Sequence, residues 1–377
     1  MAMRSLPYSK AMSETVRSRT GFKPAGKTRM LDSQPFFSPN AVHTVTLFIP
    51  ALFWPHASID HEMPLAPLLR KLIGRGDASQ ARCDEESAWL CEQFGVTKQA
   101  DWPSAPIAVF GAGTPPGDEF WLCADPVHLQ VNRDQLILQA PETLSITDAE
   151  AASLCAALNL HFAADHLTFL APQSHRWYLR TARAARIHTS SLAQAAGRDV
   201  DRMLPEGEER MAWHRVFNEV QMLLHAHPVN EEREQRGALA INSLWFSGGG
   251  TLPRVHTSFK AVIGSSALAR GLAKLAEIPF APAEPGMAIT ADNVLIELCD
   301  AATASLRLDP VGWKDALENM ERRWFAPFAA LLKKGSIGEL VIATIASGHS
   351  YRWYVSRLHL WRLWRPAAAL RTPLPGS

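Results

Sequence analysis

His225-Ala-His-Pro-Val-Asn230, then Arg233, Gly237 and Asn242-Ser-Leu-Trp-Phe-Ser-Gly-Gly-Gly250 form the stretch on which the fold of this chain turns. Just upstream, Trp213, Val216, Phe217, Val220, Leu223 and Leu224 recur at helical spacing between Glu208 and His225, the pattern of a core-facing stripe. Pro228 and Asn230 suit the turn that ends such a helix. Leu239 to Phe246 then reads as a strand running into three glycines, where the absence of a Cβ lets another group come close to the backbone. Helix, turn, strand and glycine-rich backbone in quick succession are the alternation of an α/β protein.

The same alternation extends outward. His43 to Pro50 reads as a buried first strand, followed by helical patterns at Pro64 to Ile73 and Asp84 to Phe94. Pro106 to Phe110 is a short apolar run that reads as a strand. Phe120 to Ala124, Val127 to Val131 and Gln135 to Gln139 suggest a meander folded about an Asp125-Pro-Val-His128 turn. A helix follows from Asp148 to His161, then short strands at Leu167 to Leu170 and Arg176 to Leu179. Later come a strand at Phe259 to Ile263, a helix from Ser265 to Leu275 with the serines at its N-cap, and a helix from Asp292 to Thr303. A long amphipathic pattern from Trp313 to Leu332 should kink at Pro327, and strands at Glu339 to Ile345 and Tyr351 to Val355 close the fold. Short antiparallel strands thus concentrate at 102–200, which predicts a smaller α+β lobe beside an α/β core built from 42–101 and 201–377. Residues 1–41 carry only Glu14 and Asp32 as acids and read as a flexible basic tail; Met30 leaves open whether 1–29 belong to the protein.

The 377 residues are 47% hydrophobic and 20% charged, enough to bury a large core. No apolar run approaches the roughly 18 residues of a membrane span, so no membrane is expected. A formal charge of +1 offers no global field for nucleic acid. The tail beyond Glu339 has no acid and interleaves Arg352, Arg357, Arg362, Arg365 and Arg371 with Trp353, Tyr354, Trp361 and Trp364. Packing of these aromatics on the core is favoured, with nucleic-acid binding the alternative. Five cysteines without paired spacing (Cys83, Cys91, Cys123, Cys155, Cys299) read as free thiols of a reducing compartment, hence the cytoplasm.

Several residues in the opening stretch have ligand chemistry. Arg233 offers a planar fork for an anion, Asn242 an amide beside a strand, and Gly248, Gly249 and Gly250 approachable backbone N–H groups. His227 and Asn230 complete the primary set. Asp125, His128 and His225 are secondary candidates, and the alternative for the whole group is a structural role in turns and caps. His56, His61 and Glu62 read as a loop.

These motifs resemble the archaeal-type cofactor-independent phosphoglycerate mutases of the alkaline-phosphatase superfamily, firmly over about residues 222 to 275, where Gly264-Ser-Ser-Ala-Leu-Ala-Arg-Gly271 also matches. Ala124 to Leu129 and Ser243 to Gly250 resemble still more closely the RpfE-type regulatory proteins, often labelled phosphoglycerate mutases, over about 43 to 365. The resemblance implies an alkaline-phosphatase-like central sheet flanked by helices. It also implies two metal ions on Asp and His ligands, with a Ser or Thr nucleophile. The chain departs from that pattern. Its first strand runs into Ile49-Pro-Ala-Leu-Phe-Trp54 with no acid before Asp60, and its last leads to Ile345-Ala-Ser-Gly-His349 in place of an Asp-His pair. Of the roughly six ligands a two-metal site needs, Asp309 and His349 remain. The expectation is therefore a mutase-like regulatory protein with no metal or cofactor, non-catalytic, and binding a small phosphorylated or carboxylated metabolite; its protein partner is unidentified. The alternatives are an active phosphomutase or phosphatase with an altered metal site, and an interaction or nucleic-acid regulator acting through its basic tail.

Overall fold

The computed structural model describes residues 44–55, 66–132, 135–284, 286 and 291–370. The expected tail at 1–41, the loop residues His56, His61 and Glu62, and Arg371 lie outside them. Among the described residues no helix is long and apolar enough to cross a membrane.

A seven-stranded sheet organises the larger part of the fold. Its order is β11 (Phe280–Ala281), β10 (Ala261–Ile263), β12 (Asn293–Glu297), β1 (Thr44–Phe48), β13 (Glu339–Ala346), β14 (His349–Ser356) and β2 (Asp77–Arg82). The five strands from β11 to β13 are parallel, and β14 and β2 continue antiparallel, so the sheet is mixed. Helices cover it. Those packed on one face are α1 (Pro67–Arg75), α9 (Asp300–Leu306), α10 (Pro310–Met320) and α11 (Ala326–Lys334), and their apolar stripes bury Leu69, Leu72, Trp313, Leu317 and Phe328 against Val45, Leu47 and Ile296. On the other lie α2 (Glu86–Gln93) and α8 (Ala267–Leu275), with Trp89, Phe94, Leu272 and Ala273 against Phe48, Val262 and Leu295. The expected α/β class, a central sheet flanked by helices, is what the chain forms.

A second, five-stranded sheet pairs β4 (Gln135–Gln139), β3 (Phe120–Asn132), β6 (Arg176–Thr181) and β5 (Leu167–Gln173), with β9 (Ser243–Gly250) added to β3. Four of its strands come from within 102–200 and the fifth from beyond it. Its core takes in α4 (Asp148–His161) and α6 (Arg210–His225), whose Trp213, Phe217, Val220 and Leu224 are buried with Leu244 and Phe246 of β9. A two-stranded piece, β7 (Ile187–His188) with β8 (Glu206–Gly207), and two short helices, α5 (Leu192–Ala195) and α7 (Pro228–Gln235), complete the elements.

Three local expectations are corrected. The apolar run at 106–110 is the helix α3 (Ser104–Gly111), not a strand. Ala105, Ile107, Ala108 and Val109 are all buried, so the run has no polar face from which a period could be read. Asp125-Pro-Val-His128 is no turn but the middle of the continuous strand β3. Pro126 is tolerated there because β6 pairs only with residues 120–123 and β4 only with 128–132, leaving β9 as the sole neighbour at Pro126. Residues 293–297 form β12, not the start of a helix; a parallel strand covered on both faces is uniformly apolar and carries no alternation. Pro327 behaves as expected. The helix widens into a π-helical turn at Glu321–Phe325 and α11 restarts with the proline in its first turn.

Candidate functional site

Beyond the carboxyl ends of β1, β10 and β12 lies a cavity of about 360 Å³. This is where open parallel sheets generally present ligand sites, because the loops there diverge and leave a crevice. One wall comprises Phe48 and Pro50 after β1, Ser265 and Ser266 after β10, and Glu297 and Cys299 after β12. The opposite wall is the smaller sheet. Alternation along β3 turns Leu122 and Ala124 into that sheet's own core and Cys123 and Asp125 toward the cavity; on β6, Trp177 and Leu179 face inward while Arg176 and Tyr178 face the cavity. Cys123 and Tyr178 are direct cross-strand partners, which brings these four side chains together. A second volume of about 720 Å³ shares Glu86, Ser191, Ala193, Ala302 and Leu306 with the first, so the two form one continuous cleft.

Asp125 is fully buried and accepts a hydrogen bond from Arg176 Nη1 at 2.7 Å. Burial pushes its carboxyl up to about 7, with the Arg176 charge pulling the other way and Glu142 adding to the rise. Asp125 in turn holds the Arg176 guanidinium above its ordinary range. Burial, then the neighbouring Asp125, lifts the Cys123 thiol to about 12, and burial raises the Tyr178 hydroxyl as well. Across the cavity, burial and the proximity of Glu297 and Glu85 push Glu86 up to about 7. Glu297 is raised by burial, although Ser266 donates to it from both its backbone N (3.2 Å) and its hydroxyl (2.8 Å). Ser266 also accepts from Ala269 N at 3.0 Å, so the expected N-cap of α8 is present, and Glu297 braces it.

Of the ligand candidates named from the sequence, only Asp125 lines this cavity, together with the N-cap serines Ser265 and Ser266. Arg233 is fully buried elsewhere: Nη1 donates to both carboxylate oxygens of Glu150 (2.9 and 3.0 Å), Nη2 to Leu144 O, and Nε to Leu239 O at 2.8 Å. The guanidinium is saturated by the protein and holds no fork for a ligand. Asn230 ties the end of α6 to the approach of β9, donating to Leu224 O and Ile241 O and accepting from Ile241 N. Asn242 exchanges both amide bonds with the backbone of Leu129, and His128 Nδ1 bonds Ala240 O at 2.8 Å. His227 caps α7 by accepting from Val229 N at 3.2 Å, its basicity reduced by burial, and His225 is an exposed last residue of α6. The three glycines admit side chains of their neighbours. A Cβ on Gly248 (φ +67°) would lie 2.0 Å from Ser104 Oγ, one on Gly249 2.9 Å from Leu122 Cδ2, and one on Gly250 2.5 Å from Pro103 Cβ. The stretch from His225 to Gly250 is therefore an architectural knot.

The residues present do not fit the paired metals that the resemblance implies. Among the described residues no three His, Cys, Asp or Glu side chains converge as a metal ion requires. Asp309 caps α10 by accepting from Gly312 N at 2.8 Å, and His349 bonds Ser347 O at 3.1 Å in the β13–β14 turn. In the basic tail, Trp353 is buried, Trp361 and Trp364 are 66% and 78% exposed, and Arg362 and Arg365 pair with Asp77. Cleft residues that the sequence left unmarked include Arg176, Tyr178, Glu86 and Glu297. They come from three separate elements, β6, α2 and β12, and only the strand alternation of β6 could have placed any of them.

Residues 122–230 match a family model described as 2,3-bisphosphoglycerate-independent phosphoglycerate mutase. No curated protein matches the chain. Among solved structures, the chain is similar to the cofactor-independent phosphoglycerate mutase from Thermoplasma acidophilum DSM 1728, at 15% identity and a TM-score of 0.36 over 83% of this chain and 89% of that one. It is also similar to the PH0037 protein from Pyrococcus horikoshii, at 13% identity and a TM-score of 0.46 over 84% and 88% of the two chains.

Proposed function

We propose that this chain is a phosphoglycerate-mutase-like regulatory protein of the RpfE type, built on an alkaline-phosphatase-like sheet. It transfers no phosphoryl group, works in the cytoplasm, and binds a small phosphorylated or carboxylated metabolite in the cleft between its two sheets. The observation that carries this reading is the chemistry at the carboxyl ends of the parallel strands. A cavity of metabolite size opens there, yet the end of β1 delivers Phe48 and Pro50 to it where a metal-binding acid would be needed. The ligand's anionic group is met at the rim by Arg270 and the Ser265 hydroxyl, both exposed.

Thermal denaturation of the full chain with millimolar three-carbon phosphates and carboxylates tests the reading. At least one of them is expected to raise the Tm, and Ser265→Trp, which places a ring in the mouth at an exposed position, is expected to abolish the rise while leaving the unliganded Tm unchanged. No shift with any of them, or a shift that survives Ser265→Trp, contradicts the assignment.

A further inference from the structure

The cleft's inner end has buried polar atoms that the protein leaves unpaired. Asp125 Oδ1, Glu142 Oε2 and Tyr178 Oη are all buried, all lack a hydrogen-bond partner, and all belong to residues lining the one cavity of about 360 Å³. Asp125 and Tyr178 are 0% and 1% exposed, so bulk water does not ordinarily satisfy them. Buried polar groups left in this condition mark a place where a further group belongs.

Charge points the same way. The cavity is lined by four carboxyl groups (Glu86, Asp125, Glu142, Glu297) against two guanidinium groups, Arg176 and Arg270, with His175 besides. Arg176 is engaged with Asp125, and Arg270 lies over the Phe280 ring at 5.2 Å. Glu297 is satisfied by Ser266. What remains at the Asp125–Glu142 end is an excess of negative charge, which also appears as the upward push of Glu142 on Asp125. A hydroxyl supplies one proton to such a place. An ammonium supplies three and a positive charge, enough for the two carboxylate oxygens and a lone pair of the Tyr178 hydroxyl.

We propose that Asp125, Glu142 and Tyr178 form a subsite for the ammonium group of a small zwitterionic metabolite, an amino acid or its phosphate ester. This rests on the reading of the cleft as a metabolite site and specifies which metabolites it takes. The anionic end lies toward Arg270, and the ammonium sits against the unpaired oxygens of Asp125, Glu142 and Tyr178.

O-phosphoserine and 3-phosphoglycerate test this directly, since they share a phosphate, a carboxylate and a three-carbon chain and differ at C2 in carrying an ammonium or a hydroxyl. Calorimetric titration of the full chain is expected to give at least tenfold tighter binding of O-phosphoserine, a charged hydrogen bond contributing about a tenfold factor or more. Equal binding, or preference for 3-phosphoglycerate, overturns the ammonium subsite while leaving the metabolite site standing. Binding of neither overturns the subsite, and the metabolite site falls with it if no other three-carbon phosphate or carboxylate raises the Tm. Glu142→Gln, at a half-buried position, is expected to erase the preference by weakening O-phosphoserine alone, whereas loss of both ligands in equal measure counts against the subsite. Should Asp125→Asn fail to fold, Tyr178→Phe provides the second variant, and an unchanged preference in both it and Glu142→Gln contradicts the assignment.

Discussion

Arg233 shows how a side chain suited to a ligand can be taken up by the fold. Its partner Glu150 is buried, which works against its charge, but the Thr147 backbone N–H and the Arg233 and Arg236 guanidinium groups hold its carboxyl down to about 2. Glu150 also closes a capping box with Thr147 at the start of α4, so one carboxylate joins α4 to α7. Arg233→Ala leaves that buried carboxylate with only Arg236 and Thr147 and strips the Leu144 and Leu239 carbonyls of their donor, and is expected to lower stability by about 2–4 kcal/mol in denaturant titration. The same variant leaves the O-phosphoserine affinity of any folded protein unchanged. Glu86 behaves in the opposite way. Burial and the neighbouring Glu297 and Glu85 raise its carboxyl from the ordinary 4.5 to about 7, so it costs no stability below about pH 4.5 and destabilises progressively as pH rises through 7. Glu86→Gln is expected to match wild type at pH 4.5 and to exceed it at pH 8 by on the order of 1–2 kcal/mol, the half-buried position being partly screened. Equal stabilities at pH 8 would remove the crowding of acids inferred for the cleft. At this scale the sequence showed residue types but not their neighbours: Asn230, Arg233 and Asn242 have binding chemistry, and their partners Ile241, Glu150 and Leu129 decide its use.

Among elements, amphipathic helices were the most legible. The stripe of α6 and the length of α4 stand in the structure close to where periodicity put them, because one face of each is wet. Elements buried on all sides were misread, α3 as a strand and β12 as a helix, since burial removes the polar phase from which a period is measured. The α3–α8 contact shows what such burial demands. A Cβ on Gly111 would lie 2.0 Å from Ala267 O, and one on Gly271 2.0 Å from Ile107 O, so the two helices touch backbone to backbone. Gly271→Ala must push them apart and is expected to cost about 1–3 kcal/mol, read as a lower denaturation midpoint. Because α8 begins at Ser266 on the cavity wall, O-phosphoserine binding should weaken along with stability. A variant as stable as wild type would show that the helices can separate without strain.

For the molecule as a whole, the sequence and its resemblance conveyed a central sheet flanked by helices and a concentration of antiparallel strands in the middle of the chain. It could not convey that β9 leaves the helical part to join the smaller sheet, because a strand's apolar pattern does not name its partner. That crossing places Ser247 and the face of β3 opposite the carboxyl ends of β1, β10 and β12, and creates the cleft. Its walls carry acids, hydroxyls and two arginines, but no convergent set of metal ligands among the described residues. The central claim is the proposal that this cleft binds a metabolite and transfers no phosphoryl group. The most direct measurement is the interconversion of 3-phosphoglycerate and 2-phosphoglycerate by the purified full chain in millimolar Mn²⁺. The rate is expected not to exceed that of buffer alone; sustained turnover proportional to protein concentration would contradict the account.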